Sequence, residues 1–255
     1  MVCVVSGKAV LLLGAVVVLA GCGATSTATL TEAEAPSLSS VTGRTPPPIP
    51  SSRAAVEARP SLDLATYSTT DPTSRWVVVN KRQPLSPSTY APTDLTSVGS
   101  GQVLRADAAA ALLQMISAAA AANVPLRAVS GYRSYAYQVS VHQRAIDDEG
   151  TDDAEQASAR PGHSEHQTGW AVDVGGGGCD VEECFADTPQ GRWVAANSWR
   201  YGFIVRYPQG AQAVTGYTYE PWHLRWVDVP LATYLHDRGI AALEQVFGLP
   251  AAPSY

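Results

Sequence analysis

The stretch HSEHQTGWAVDV occupies residues 163–174. His163, Glu165, His166 and Asp173 are all side chains of types that can bind a metal ion. WAVDV at 170–174 has the short, β-branched, apolar character of a strand. The glycine of Thr168-Gly169 allows a tight turn ahead of it, which would bring His166 and Asp173 to one point. Each residue also has an ordinary reading, His166 as a turn residue and Asp173 as a salt-bridge or turn partner. The question is whether the rest of a metal site exists elsewhere in the chain.

A second stretch, EPWHLRW at 220–226, supplies a matching fragment. Residues three apart on a regular strand face opposite ways. Pro221 cannot donate to a ladder and favours a bulge or edge, so a break there could turn Glu220 and His223 toward one site. His223 could equally be a core histidine with its polar atoms satisfied. A hydrolytic zinc site takes three protein ligands and leaves a fourth position for water. His166, Asp173, Glu220 and His223 together offer candidates for such a site. Trp170, Val172, Val174, Trp222 and Trp226 frame them, and ionisable groups among apolar residues need partners because unpaired burial is costly. His142 lies in an expected helix and is read as exposed or capped. His163 is a neighbour of the site rather than a ligand, and His236 sits near a helix end.

Around these stretches the sequence predicts a strand at 76–80 (WVVVN) and a proline-bearing loop after it. A helix follows over 105–124, rich in Ala and Leu, then a strand at 126–131 and a helix at 135–150 stopped by Gly150. Residues 151–162 read as polar loop. Asp187 or Thr188 caps a further helix, strands follow at 203–208 and 217–227, and Pro230 suits the first turn of a last helix. The expected fold is α+β, a central antiparallel sheet with flanking helices.

The 255-residue chain carries a formal net charge of −6 and no basic run, which argues against a nucleic-acid partner. Lys8 precedes an apolar run at 9–20, the length of a signal-peptide core and short for a membrane span. The run ends in LAGC, which resembles the lipobox of bacterial lipoproteins; that resemblance implies cleavage before Cys22 and lipidation of that cysteine. Residues 24–59 are rich in Ser, Thr, Ala and Pro and read as a tether. The expected organisation is a signal peptide at 1–21, lipidated Cys22 and tether at 22–74, a domain at 75–248 and a tail at 249–255. Cys3 falls in the leader. Cys179 and Cys184 are most simply a disulfide closing a small loop in an exported protein, with a zinc-binding pair as the competing reading.

Three segments in order, SGYRSYAYQ at 130–138, SEHQTGWAVD at 164–173 and EPWHLRW at 220–226, closely resemble the motifs of VanY-like D-alanyl-D-alanine carboxypeptidases. These belong to a zinc-peptidase superfamily that includes lysostaphin-type enzymes and the hedgehog fold. The resemblance runs from 79–95 to about Tyr234. It implies Zn²⁺ held by His166, Asp173 and His223, Glu220 as general base, and Arg133 at the scissile carbonyl oxygen. It further implies that Gln138 and Ser164 grip the substrate's terminal region. The implied activity is removal of terminal D-alanine from peptidoglycan stem peptides by a monomer anchored outside the cytoplasmic membrane. Other readings are an L,D-carboxypeptidase acting on tetrapeptides, a cross-bridge endopeptidase and a non-catalytic zinc domain that binds the wall.

Overall fold

A computed structural model describes residues 61–255. The leader, Cys22 and most of the expected tether lie outside the described residues. The first regular element is a hairpin not anticipated from the sequence, β1 (Leu95–Gly99) paired antiparallel with β2 (Gln102–Arg105). Only Val98 and Leu104 of it are buried, so it carries no alternating apolar pattern to read. The alanine-rich run forms α1 (Ala106–Ala121), whose Ala108, Leu112, Met115 and Ala119 make one buried stripe. β3 (Arg127–Ser130) and α2 (Tyr135–Glu149) follow. Ser134 caps α2 by accepting from the Tyr137 amide, and Gly150 ends it.

Part of the segment expected as loop is instead α3 (Thr151–Ala157). Asp152 and Asp153 complement the positive end of its dipole, and Ala154 anchors it in the interior. Then come β4 (Ala171–Gly175), α4 (Pro189–Asn197, capped by Thr188), β5 (Phe203–Val205) and α5 (Gln212–Thr215). β6 (His223–Trp226), α6 (Val229–Arg238, capped by Asp228) and α7 (Leu243–Val246) complete the chain.

The main sheet has the order β3-β4-β6-β5, every neighbouring pair antiparallel. Ala128, Val172, Val174, Leu224 and Phe203 belong to the same core cluster as the α1 stripe. The intervening residues, Asp173, His223 and Arg225, point to the other face, as the two-residue period requires. The fold is therefore the α+β arrangement expected.

Residues 76–80 do not form the expected strand. Their side chains do alternate: Val77 and Val79 enter the main core, while Trp76 and Val78 enter a second cluster with Leu231, Leu235 and Leu243. No neighbouring strand pairs with them. The Arg225 guanidinium instead donates to the carbonyls of Arg75 (2.9 Å) and Val77 (2.8 Å). The folded region is also wider than 75–248. Leu62 and Leu64 pack against the second cluster, and Tyr67 meets Trp76 edge-on at 4.9 Å. The expected tail is fixed too, with Ala252 buried and its amide donating to Val214 at 2.8 Å.

Gly169 makes the turn into β4 with φ +74°, and a Cβ there would lie 2.7 Å from Cγ of Arg105. Gly169→Ala should therefore lower unfolding stability by about 2 kcal/mol, combining the left-handed backbone cost with this clash. Urea denaturation measures it; a loss below about 0.5 kcal/mol, the range of an ordinary surface change, would contradict the account.

Candidate metal and catalytic centre

The β4–β6 register sets Asp173 directly opposite His223. His166 arrives from the single 3₁₀ turn Glu165–Thr168 that leads through Gly169 into β4. Ligand atoms of the three residues all lie within 4.8 Å of one another, and all three side chains are buried. His166 Nε2 is 3.3 Å from Asp173 Oδ2, and His223 Nδ1 is 3.1 Å from Asp173 Oδ1.

The two imidazoles are held from behind in different ways. His166 Nδ1 is 2.7 Å from the carbonyl of Gly131, which can only accept, so Nδ1 carries the proton and the Nε2 lone pair faces Asp173. That Nε2 is buried without a hydrogen-bond partner. A buried imidazole lone pair beside a carboxylate and a second imidazole fits a divalent metal such as zinc, which takes nitrogen and oxygen ligands of this kind. His223 presents Nδ1 to the same point.

Glu220 sits one tight turn before β6. Its carbonyl accepts from the His223 amide (3.2 Å), and its Oε2 lies 3.6 Å from His223 Nδ1. Pro221 thus breaks the strand as expected and brings residues three apart to one side. Burial pushes the Glu220 carboxyl up to about 7; His223 opposes the shift and Asp173 reinforces it. For His223, burial works against the charged form. The carboxylates around the ring, Asp173, Glu165 and Glu220, outweigh it and raise the group to about 9. Burial, helped by Arg133, lowers His166 to about 4.

Arg133 donates from Nη2 to Asp173 Oδ2 (3.0 Å), from Nη1 to Gln138 Oε1 (3.3 Å) and from Nε to Ser130 Oγ (3.1 Å). It lines a small cavity of about 40 Å³ together with Ser164, His166, Glu220 and His223. A wider groove of about 560 Å³ shares Arg133, Ala157, Ser158 and Glu220 in its wall. Ser164 is thus at the cavity, where a substrate contact is expected. Gln138 is not. Its side chain is fully buried, with its Oε1 taken by Arg133 and its Nε2 donating to the Ala159 carbonyl at 2.8 Å. It stands behind Arg133 and braces it.

The other histidines stay outside the cluster. His163 faces the Asn80 carbonyl at 2.8 Å and meets Tyr255 edge-on. His142 is buried, not exposed or capped as expected from the sequence, and His236 stacks on Trp199 near the end of α6. Cys179 and Cys184 form the disulfide, with Cα atoms 5.9 Å apart. Glu165, read from the sequence as a neighbour and not a ligand, is fully buried beside His223, and its Oε2 lies 3.6 Å from His223 Nε2. Arg206 and Arg225, arginines in strand-like surroundings, demand a buried counter-charge, but nothing local to them names Glu165 as that partner.

The family model for VanY, D-alanyl-D-alanine carboxypeptidase, matches residues 101–229. The chain belongs to the VanY carboxypeptidase family. That family acts on peptides of peptidoglycan, and the match contains every residue of the centre. YodJ of Bacillus subtilis (strain 168) is 38% identical over 188 residues, covering 69% of this chain and 68% of YodJ. The solved structure of the L,D-carboxypeptidase LdcB is 38% identical with a TM-score of 0.64, covering 69% of this chain and 87% of that one. A mutant of the vancomycin-resistance D,D-pentapeptidase VanY in complex with Zn(II) is 29% identical with a TM-score of 0.60, covering 67% of this chain and 97% of that one.

Separating ligand from neighbour gives a direct test. His163→Ala should retain one zinc per chain after loading and desalting, and His166→Ala should lose it, as read by elemental analysis. Equal zinc content in the two variants would contradict the assignment.

Proposed function

We propose that the protein is a zinc-dependent carboxypeptidase releasing D-alanine from the C-terminus of peptidoglycan stem peptides, with D,D-cleavage of pentapeptides as the first reading. The observation that carries this is Glu220: a buried carboxylate with a raised pKa, 3.6 Å from the His223 nitrogen that faces the ligand cluster, in the wall of the small cavity.

His166, Asp173 and His223 would hold the metal, which would supply Lewis acidity and an activated water. Glu220 takes the proton from the attacking water and delivers it to the departing amine, a task suited to a buried carboxylate beside the ligand cluster. The Arg133 guanidinium, a cation with several donors, stabilises negative charge developing on the scissile carbonyl oxygen. Asp173 and Gln138 hold that guanidinium on two sides, so little reorganisation is needed as charge builds. Ser164 offers a hydroxyl to the substrate's terminal residue.

A second reading, L,D-cleavage of tetrapeptides, is favoured by the likeness to LdcB, itself an L,D-carboxypeptidase. Both readings release D-alanine and use the same residues. They differ at the penultimate residue, which would face the wider groove.

The LAGC signal supports export and anchoring through a lipid on Cys22, and the disulfide suits an oxidising compartment. Cys22→Ala should shift the protein from the membrane pellet to the soluble fraction on cell fractionation; unchanged membrane association would contradict the anchor.

Activity is tested with defined tetrapeptides and pentapeptides and zinc-loaded protein. Glu220→Ala should keep zinc and lose D-alanine release by roughly 10²–10⁴-fold. Retained turnover would remove Glu220 from its role. Turnover of tetrapeptide alone would replace the D,D reading with the L,D one.

A further inference from the structure

Behind His223 lies a chain of buried charges that the reaction itself does not use. Glu165 Oε1 accepts from Arg206 Nε at 2.8 Å and from Arg225 Nη1 at 2.9 Å. Arg206 then grips Glu244 of α7 with both terminal nitrogens, at 3.0 and 2.6 Å. Asn80 donates to the same Glu244 carboxylate at 3.0 Å. All four charged side chains are fully buried. Two carboxylates balance two guanidinium groups, so the cluster is neutral as a whole.

Such a cluster is a poor device for stability alone. Well-packed apolar residues of similar volume commonly serve as well, because burying ions costs solvation. What an apolar replacement could not do is present an oxygen to an imidazole. Both guanidinium contacts fall on Oε1, leaving Oε2 without a hydrogen-bond partner and 3.6 Å from the equally unpartnered Nε2 of His223. On the opposite edge of that ring, Nδ1 faces Asp173 and Glu220.

We infer that Glu165 is a positioning residue for His223, and that Glu244 extends this role from α7 through Arg206. Glu165 Oε2 faces the Nε2 proton, which stays on the ring, and favours the tautomer in which Nδ1 offers its lone pair to the metal. Arg206 and Arg225 hold the carboxylate in place, and Glu244 with Asn80 holds Arg206. The metal centre is thereby tied to an element some twenty residues beyond its last ligand. The inference rests on the reading of His223 as a metal ligand. Partners behind a ligating histidine orient the ring and raise its basicity, and losing one typically weakens metal binding by roughly 10–100-fold.

The test measures zinc affinity of the full chain against a competing chelator, with kcat, KM and the thermal midpoint of the metal-free protein recorded alongside. Glu165→Asp keeps the charge balance with both arginines but withdraws the oxygen from His223. It should fold and bind zinc roughly 10–100-fold more weakly, with kcat falling and KM near wild type. Glu244→Gln should weaken zinc binding in the same direction and by less. Leu112→Ala, a cavity in the α1 core, is the control for general destabilisation. It should lower the thermal midpoint and leave zinc affinity within about twofold, because distant sites act independently. Folded Glu165→Asp and Glu244→Gln proteins with wild-type zinc affinity would overturn the inference. So would a fall in affinity matched by Leu112→Ala. Failure of the wild-type chain to bind zinc would instead sink the metal-ligand reading on which the inference stands.

Discussion

The register between β4 and β6 is the constraint on which the centre depends. With Asp173 opposite His223 and Val172 opposite Leu224, the sheet sends the candidate ligands to one face and core to the other. A slip of one residue would exchange the faces, putting a carboxylate into the α1 core. The apolar side guards against this: Trp170 stacks on Trp226 at 5.1 Å, and Val172, Val174 and Leu224 are fully buried. On the other flank, the irregularity of β3 between Ala128 and Ser130 brings Ser130 opposite Asp173. The Ser130 hydroxyl and the Asp173 carboxylate then hold Arg133 between them, so one pairing scheme places both the ligands and the cation beside them.

The polar face is closed by charge as well as by packing. Arg225, next but one to His223 along β6, reaches back to the extended segment around Val77 and serves its carbonyls where a strand would otherwise be needed. The same guanidinium supports Glu165. The two carboxyl groups beside Nδ1 of His223 meet different surroundings. Asp173 is buried, yet the two histidines outweigh that burial and keep it ionised. Glu220 has weaker compensation, and burial brings it near neutrality. Carboxyl groups driven apart in this way can take separate roles, one remaining a charged ligand and one exchanging a proton.

Much of this was legible in the chain. The strands expected at 126–131, 170–174 and 217–227 contain β3, β4 and β6, the last confined to the part after Pro221, and Gly150, Thr188 and Pro230 mark helix ends where the structure has them. The proximity of His166, Asp173, His223 and Glu220 follows from two turns whose residues, Gly169 and Pro221, declare themselves. What stayed hidden depends on contacts far apart in sequence. Nothing local shows that WVVVN pairs with an arginine side chain rather than with a strand. Glu165 sits in the opening stretch, but its role depends on Arg206, Arg225 and Glu244, brought together only by the finished fold. Gln138 lies in the right motif and faces the wrong way for substrate, because its amide is consumed by Arg133 and Ala159. The hairpin of β1 and β2 has too little burial to leave a pattern.

The central claim is that the β4–β6 pairing and the turn before it build one metal centre from two imidazoles and a carboxylate. X-ray absorption at the zinc edge on the loaded protein tests this most directly. The account predicts a shell of nitrogen and oxygen only, at about 2.0–2.2 Å, with the outer scattering of two imidazole rings. A sulfur scatterer at about 2.3 Å, or a shell with a single imidazole, would contradict it.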